Sequence, residues 1–170
     1  MCQGSCNKDW DSILHFLRTG HECNLFEYIH GDKDIEELTA AIIRGSAEAC
    51  RYATRYDELT ENHLLNALFA LLYHYLPCES QKISNIMRIL MAGERETASS
   101  SLEDFVCRIT GNMPTSLLDA IFAEVEKLEP GSFASAQYEI FRLAAGRERN
   151  VYFVSCANRI QTIDPALKIM

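Results

Sequence analysis

TENHLLNALFALLYHYL, Thr60–Leu76, is the stretch whose reading decides the fold. Thr60 reads as an N-cap, and Glu61 as a first-turn carboxylate suited to the helix dipole. From Leu64 to Leu76 the apolar residues then leave almost no polar face. A surface helix keeps one polar side, so a helix that is apolar nearly all round is surrounded by other elements. Pro77 stops it. The apolar run, which also carries Asn66 and His74, falls short of the roughly 20 residues that a bilayer requires. The stretch predicts the central buried helix of a soluble helical domain.

Outward from this helix, apolar residues recur at helical spacing on both sides. Upstream, Asp9–Arg18 places Trp10, Ile13, Leu14 and Leu17 on one face, and Gly20 ends it. Leu25, Phe26, Tyr28 and Ile29 form a compact docking segment. Asp32 reads as the cap of a helix from Lys33 to Arg44, striped by Ile35, Leu38, Ile42 and Ile43 and closed by Gly45. Residues 46–59 read as a further helical piece leading into the central one. Downstream, Ser80 caps a helix carrying Ile83, Ile86, Met87, Leu90 and Met91, with Gly93 as its expected stop. The polar run Glu94–Ser100, ERETASS, reads as an exposed loop, and its residues Glu94, Arg95, Glu96 and Thr97 are a candidate partner-binding loop. Helices are expected again over 101–111, 114–128 and 132–145. Residues 150–160 are β-branched enough for a strand, but Ser155, Ala157 and Arg159 favour helix. The expected architecture is all-α, a single compact domain of seven or eight helices over 9–163, with a lead at 1–8 and a tail at 164–170.

The 170 residues are enough to bury a real core, and 48% hydrophobic with 24% charged residues is ordinary globular composition. A net charge of −8 leaves no general excess of cations to grip phosphates. Arg51 with Arg55, and Arg147 with Arg149, read as solvated helix ends. The seven cysteines are scattered and no signal peptide precedes them, which predicts thiols in a reducing cytoplasm.

The chemistry-bearing residues do not assemble into a known constellation. AAGRERN, Ala144–Asn150, imitates a phosphate loop but has Phe141 where the first glycine belongs and Arg147 where the lysine belongs. Glu36 with Glu37, Glu103 with Asp104, and Glu124 with Glu126 read as solvated carboxylates on helix surfaces. His74 and Cys78 are the nearest local nucleophile-and-base pair, without an orienting third residue. Cys2, Cys6, His21 and Cys23 match no structural zinc spacing. The sequence therefore predicts no catalytic residues, no cofactor and no metal.

Four segments carry a family resemblance: LFEYIHGDKDIEELTAAIIRG, DELTENHLLNALFALLYHYLP, LLDAIFAEVEKLEPGSFASAQYEIFRLAAG and NVYFVSCANRI. In order and spacing, over about residues 24–163, they resemble the all-alpha domain of TraG-type coupling ATPases of conjugative type IV secretion systems in Gram-positive bacteria. The motif Tyr-x-x-Phe-x-x-Ala-Ala-Gly is matched by Tyr138, Phe141, Ala144, Ala145 and Gly146. Tyr28 and Ile29 match the end of the family's opening motif, while its Asn-Pro is absent and Phe26 is offset.

The resemblance implies a domain inserted in a membrane-anchored hexameric motor, on its cytoplasmic face, where relaxosome proteins, transferred DNA or secreted proteins are received. The motor's nucleotide motifs are not in this sequence, so the expectation is a non-enzymatic recognition module, monomeric when isolated and without membrane contact of its own. Its partner would be a relaxase, another relaxosome component or a secreted-substrate protein, with DNA disfavoured by the net charge. The alternatives are a free-standing structural or adaptor domain, or a thiol- or metal-dependent enzyme built on His74 and Cys78 or on Cys2, Cys6 and Cys23.

Overall fold

The computed structural model describes residues 9–48, 55–75, 78, 81–95, 132–145 and 149–167. Six α-helices and one 3-10 helix occur among them, with no strand: α1 Trp10–Arg18, η1 Leu25–Tyr28, α2 Asp32–Gly45, α3 Arg55–Tyr75, α4 Ile83–Arg95, α5 Phe133–Ala145 and α6 Arg149–Ile163. The all-α class expected from the sequence is the observed one. The helices expected over 101–111 and 114–128 lie outside the described residues. None of the described helices is long and apolar enough to cross a membrane.

The central helix is α3, and it begins earlier than the sequence pattern suggested. Asp57 and Glu58 occupy its first turn, so Thr60 is not the cap and Glu61 is not a dipole partner. Both are interior residues of the helix, each 1% exposed. Every residue from Leu64 to Leu72 is buried, and the elements that cover them come from both ends of the chain. α5 lies along α3 most extensively, α4 pairs with α6, and α2 touches both α3 and α6. Phe26 of η1 meets Phe69 at a ring separation of 5.4 Å. Phe141 of α5 meets Phe153 of α6 edge-on at 6.0 Å.

Local chemistry explains the ends of the elements. Asp9 caps α1 by accepting from the Ser12 N–H at 3.1 Å and the Ser12 hydroxyl at 2.6 Å. These two bonds hold its carboxyl below the ordinary aspartate range. Gly20, at φ 96°, closes α1 with its N–H on the Leu17 carbonyl, while the His21 N–H reaches Phe16. That pair of hydrogen bonds about a left-handed residue is the Schellman ending, and glycine adopts it without a Cβ penalty.

α2 differs from expectation at its start. Its cap is Gly31, and Asp32 is already helical. The capping carboxylate is Asp34, which reaches back to the His30 N–H at 2.8 Å. α4 differs at its end, running through Gly93 to Arg95, because a glycine weakens a helix by about 1 kcal/mol without terminating it. Gln81 satisfies the last turn of α3, donating from Nε2 to the carbonyls of Tyr73 at 3.0 Å and Leu72 at 3.4 Å. Beyond α6 the chain turns back, with the Leu167 N–H on the Asp164 carbonyl at 3.1 Å and Gln161 Nε2 on the Leu167 carbonyl at 3.2 Å.

Candidate functional site

Among the described residues that carry the resemblance, most are packing residues. Tyr138, Phe141 and Ala145 form the buried face of α5, at 4%, 0% and 5% exposure, and Ala144 is half-buried beside them. Gly146 lies outside the described residues. Ile29 is buried, whereas Tyr28 is partly exposed and sets its ring edge-on to Trp10 at 6.3 Å. With the motif face turned inward, α5 leaves Ile140 and Leu143 exposed on its other side, and Val151 is exposed near the start of α6.

The interior contains a buried ion pair between residues 98 apart in the chain. Arg159 of α6 is fully buried and donates from Nε to Glu61 Oε2 at 2.5 Å. Its Nη2 reaches Glu61 Oε1 at 3.5 Å, and its Nη1 donates to Ser46 Oγ at 3.0 Å and to the Ile43 carbonyl at 3.3 Å. Ser155 donates to Glu61 Oε2 at 2.9 Å. One guanidinium thus joins α6 to the second turn of α3 and to the last turn of α2, where helix carbonyls favour a cation. Because both oxygens of Glu61 are engaged, the pair is a structural clamp and not a poised base. Next to it, the Tyr152 hydroxyl donates to Asp57 at 3.0 Å. A second polar chain links α2, α3 and α5: Thr39 donates to Asn66 Oδ1, Asn66 Nδ2 donates to Gln137 Oε1 at 3.3 Å, and His63 Nδ1 meets the same oxygen.

A concavity among the described residues lies elsewhere. A cleft of about 680 Å³ opens between the segment after α1, the start of α4 and the turn after α6. Leu17, Ile83 and Leu167 give it apolar wall, and Cys23, Glu27 and Asp164 give it polar wall. Its volume falls in the roughly 300–1,000 Å³ range of small-ligand sites. Asp164 is 8% exposed, and among the described residues its Oδ1 accepts from the Ala166 N–H at 3.3 Å. Burial pushes its carboxyl above the ordinary aspartate value, with the Ala166 bond opposing. Burial also pushes the Cys23 thiol up, and the charges of Glu27 and Asp164 add to the effect. A thiol so placed is protonated at neutral pH and a poor nucleophile.

The other residues singled out in the sequence are dispersed. His74 meets Asp32 of α2 at 2.7 Å, and Cys78 is exposed. His21 stacks on Phe16 at 4.1 Å between ring centroids and faces the end of α1. Cys2 and Cys6 lie outside the described residues, and no group able to hold a metal occurs among the described ones. Glu36 and Glu37 lie on the outer side of α2, at exposed and half-buried positions. The expected partner loop is corrected in part, since Glu94 and Arg95 belong to the last turn of α4. Glu96 and Thr97 lie outside the described residues.

No protein-family model, no curated protein and no solved structure matches this chain.

Proposed function

We propose that the chain is a non-enzymatic recognition module of the kind that selects cargo for a conjugative type IV secretion coupling ATPase, binding a relaxosome or secreted-substrate protein. The observation that carries the reading is the division of α5 into two faces. The motif residues Tyr138, Phe141 and Ala145 lock one face into the core, which leaves Ile140 at 43% and Leu143 at 74% exposure on a rigid outer face, with Val151 at 62% nearby. A preformed helical surface with a few apolar anchors docks a partner at low entropic cost. The net charge of −8 favours a basic protein and opposes bare DNA. The cytoplasmic placement and the membership of a larger motor belong to the same proposal.

The test is a titration of the purified chain against the relaxase and accessory proteins encoded beside it, with duplex and single-stranded DNA in parallel at low and physiological salt. Binding of one protein partner, weakened about tenfold or more by Leu143→Asp or Val151→Asp, is the expected result; a tenfold loss corresponds to about 1.4 kcal/mol. Tight, salt-sensitive DNA binding with no protein partner overturns the proposal.

A further inference from the structure

Asp164 borders the cleft with one carboxylate oxygen bonded inside its own turn and the other without a partner among the described residues. More than nine-tenths of the residue is out of water, yet its hydrogen-bonded neighbour is the Ala166 N–H of its own turn. Arg18 and Lys82 also border the cleft, but neither forms an ion pair with Asp164. The Arg18 guanidinium is directed to the end of α2, its Nη2 lying 3.1 Å from where a Cβ on Gly45 would stand. Arg44, the next cation on that side, is paired with Asp11 at 3.4 Å. Burial pushes this carboxyl up, and a cation entering the cleft favours its charged form.

The wall of the cleft indicates what kind of cation fits. Glu27 and Asp164 line the same cleft as Cys23, and the charges of both raise its thiol. Leu17 and Ile83, 5% and 8% exposed, stand beside them with Leu167 and present apolar surface. A bare metal ion would find too few ligands among these residues. A long alkyl stem ending in a charged nitrogen can lay the stem on the apolar wall and deliver the head to the acids.

We infer that this cleft is a binding site for an alkylammonium or alkylguanidinium group, with Asp164 as the principal acceptor and Glu27 as the second. The group comes either from a lysine or arginine side chain of a protein or from a free polyamine. The site is separate from the outer face of α5, so its test and the cargo test succeed or fail independently.

The experiment follows backbone amides of the nitrogen-15-labelled chain during titration with four probes. These are Nα-acetyl-lysine methylamide, Nα-acetyl-arginine methylamide, spermidine, and the lysine derivative with its ε-nitrogen also acetylated. The first three shift the amides of Cys23, Ile83, Ala166 and Leu167 in a saturable way, and the uncharged derivative does not. Tighter binding of spermidine identifies the free polyamine as the source, and equal or tighter binding of the capped residues identifies a protein side chain. Asp164→Asn keeps an oxygen for the Ala166 N–H and weakens the response about tenfold or more. Glu27→Gln weakens it less, and Asp11→Asn, on an exposed carboxylate, leaves it unchanged. In the unaltered chain, saturation with a cation lowers the titration midpoint of the Asp164 carboxyl carbon, a readout that needs no variant to fold. The inference is overturned if no cation perturbs these amides, if the acetylated derivative acts equally, or if saturation leaves the Asp164 titration unmoved.

Discussion

Glu61 and Asp164 are both carboxylates on mostly buried residues, and the fold treats them in opposite ways. Glu61, in the second turn of α3, receives a guanidinium, a hydroxyl and a fixed geometry from α6. Asp164, just past the end of α6, receives one backbone N–H and borders an open cleft. A fully enclosed charge has to be neutralised by the chain itself, because nothing else can reach it. A charge at the wall of a cleft can be left uncompensated, since water or a ligand has access. The contrast separates a residue that sets the arrangement of the helices from one that is available for binding.

The comparison breaks most severely if a third carboxylate is placed where neither solution exists. Leu68→Asp, at a position 1% exposed in the centre of α3, leaves a charge with no partner and no water, and the chain then shows no cooperative unfolding transition by circular dichroism. The next largest effect comes from stripping Glu61 of its cation. Arg159→Met costs about 3–5 kcal/mol in urea denaturation, whereas the double change with Glu61→Met recovers most of that loss. An equal cost in the single and double variants shows that the guanidinium acts through its bonds to Ser46 and the Ile43 carbonyl instead.

Smaller changes sharpen the distinction. Ser155→Ala removes a neutral hydroxyl from Glu61 while the ion pair stays, and costs about 1 kcal/mol by the same measurement. For Asp164 the expected effect is a change in pH dependence. Its folded-state value lies above that of the unfolded chain, so it contributes stability below the unfolded value, and that contribution is lost as pH rises through the folded value. Asp164→Asn removes this dependence. Relative to the variant, the unaltered protein therefore gains stability on acidification. Asp9, held low by Ser12, has the opposite sign and loses its contribution on acidification, so the comparison is made between Asp164→Asn and an Asp9→Asn control.

Much of the helical layout was legible because it rests on periodicity. The apolar run of α3, the stripe of α1 and the identity of α6 as a helix all follow from spacing and small residues. Glu61 was misread because Thr60-Glu61 before an apolar run has the appearance of a helix start, and the true start lies in Asp57 and Glu58. A signal was present all the same. Glu61 falls on the stripe of Leu64, Leu65 and Leu68, and Arg159 falls between Cys156, Ile160 and Ile163 on the buried face of α6. Two opposite charges on two core stripes indicate a buried pair, although sequence alone does not show which helices meet.

The cleft offered less. Cys23, Ile83 and Asp164 come from three distant segments, and Asp164 stood in what read as a tail. The polar residues Glu94 and Arg95 were assigned to a loop for their composition, but the helix of which they are the last turn is driven by the apolar stripe upstream of them.

The clamp between Glu61 and Arg159 spans 98 residues of chain, which has a consequence on the ribosome. At about 5–20 residues per second, α6 is completed roughly 5–20 seconds after Glu61 is made. During that interval the leucine-rich middle of α3 waits for two of the helices that will cover it. The nascent chain is therefore a natural client for a chaperone that holds apolar segments, and a messenger truncated before α6 would yield a product recognised by quality-control proteases.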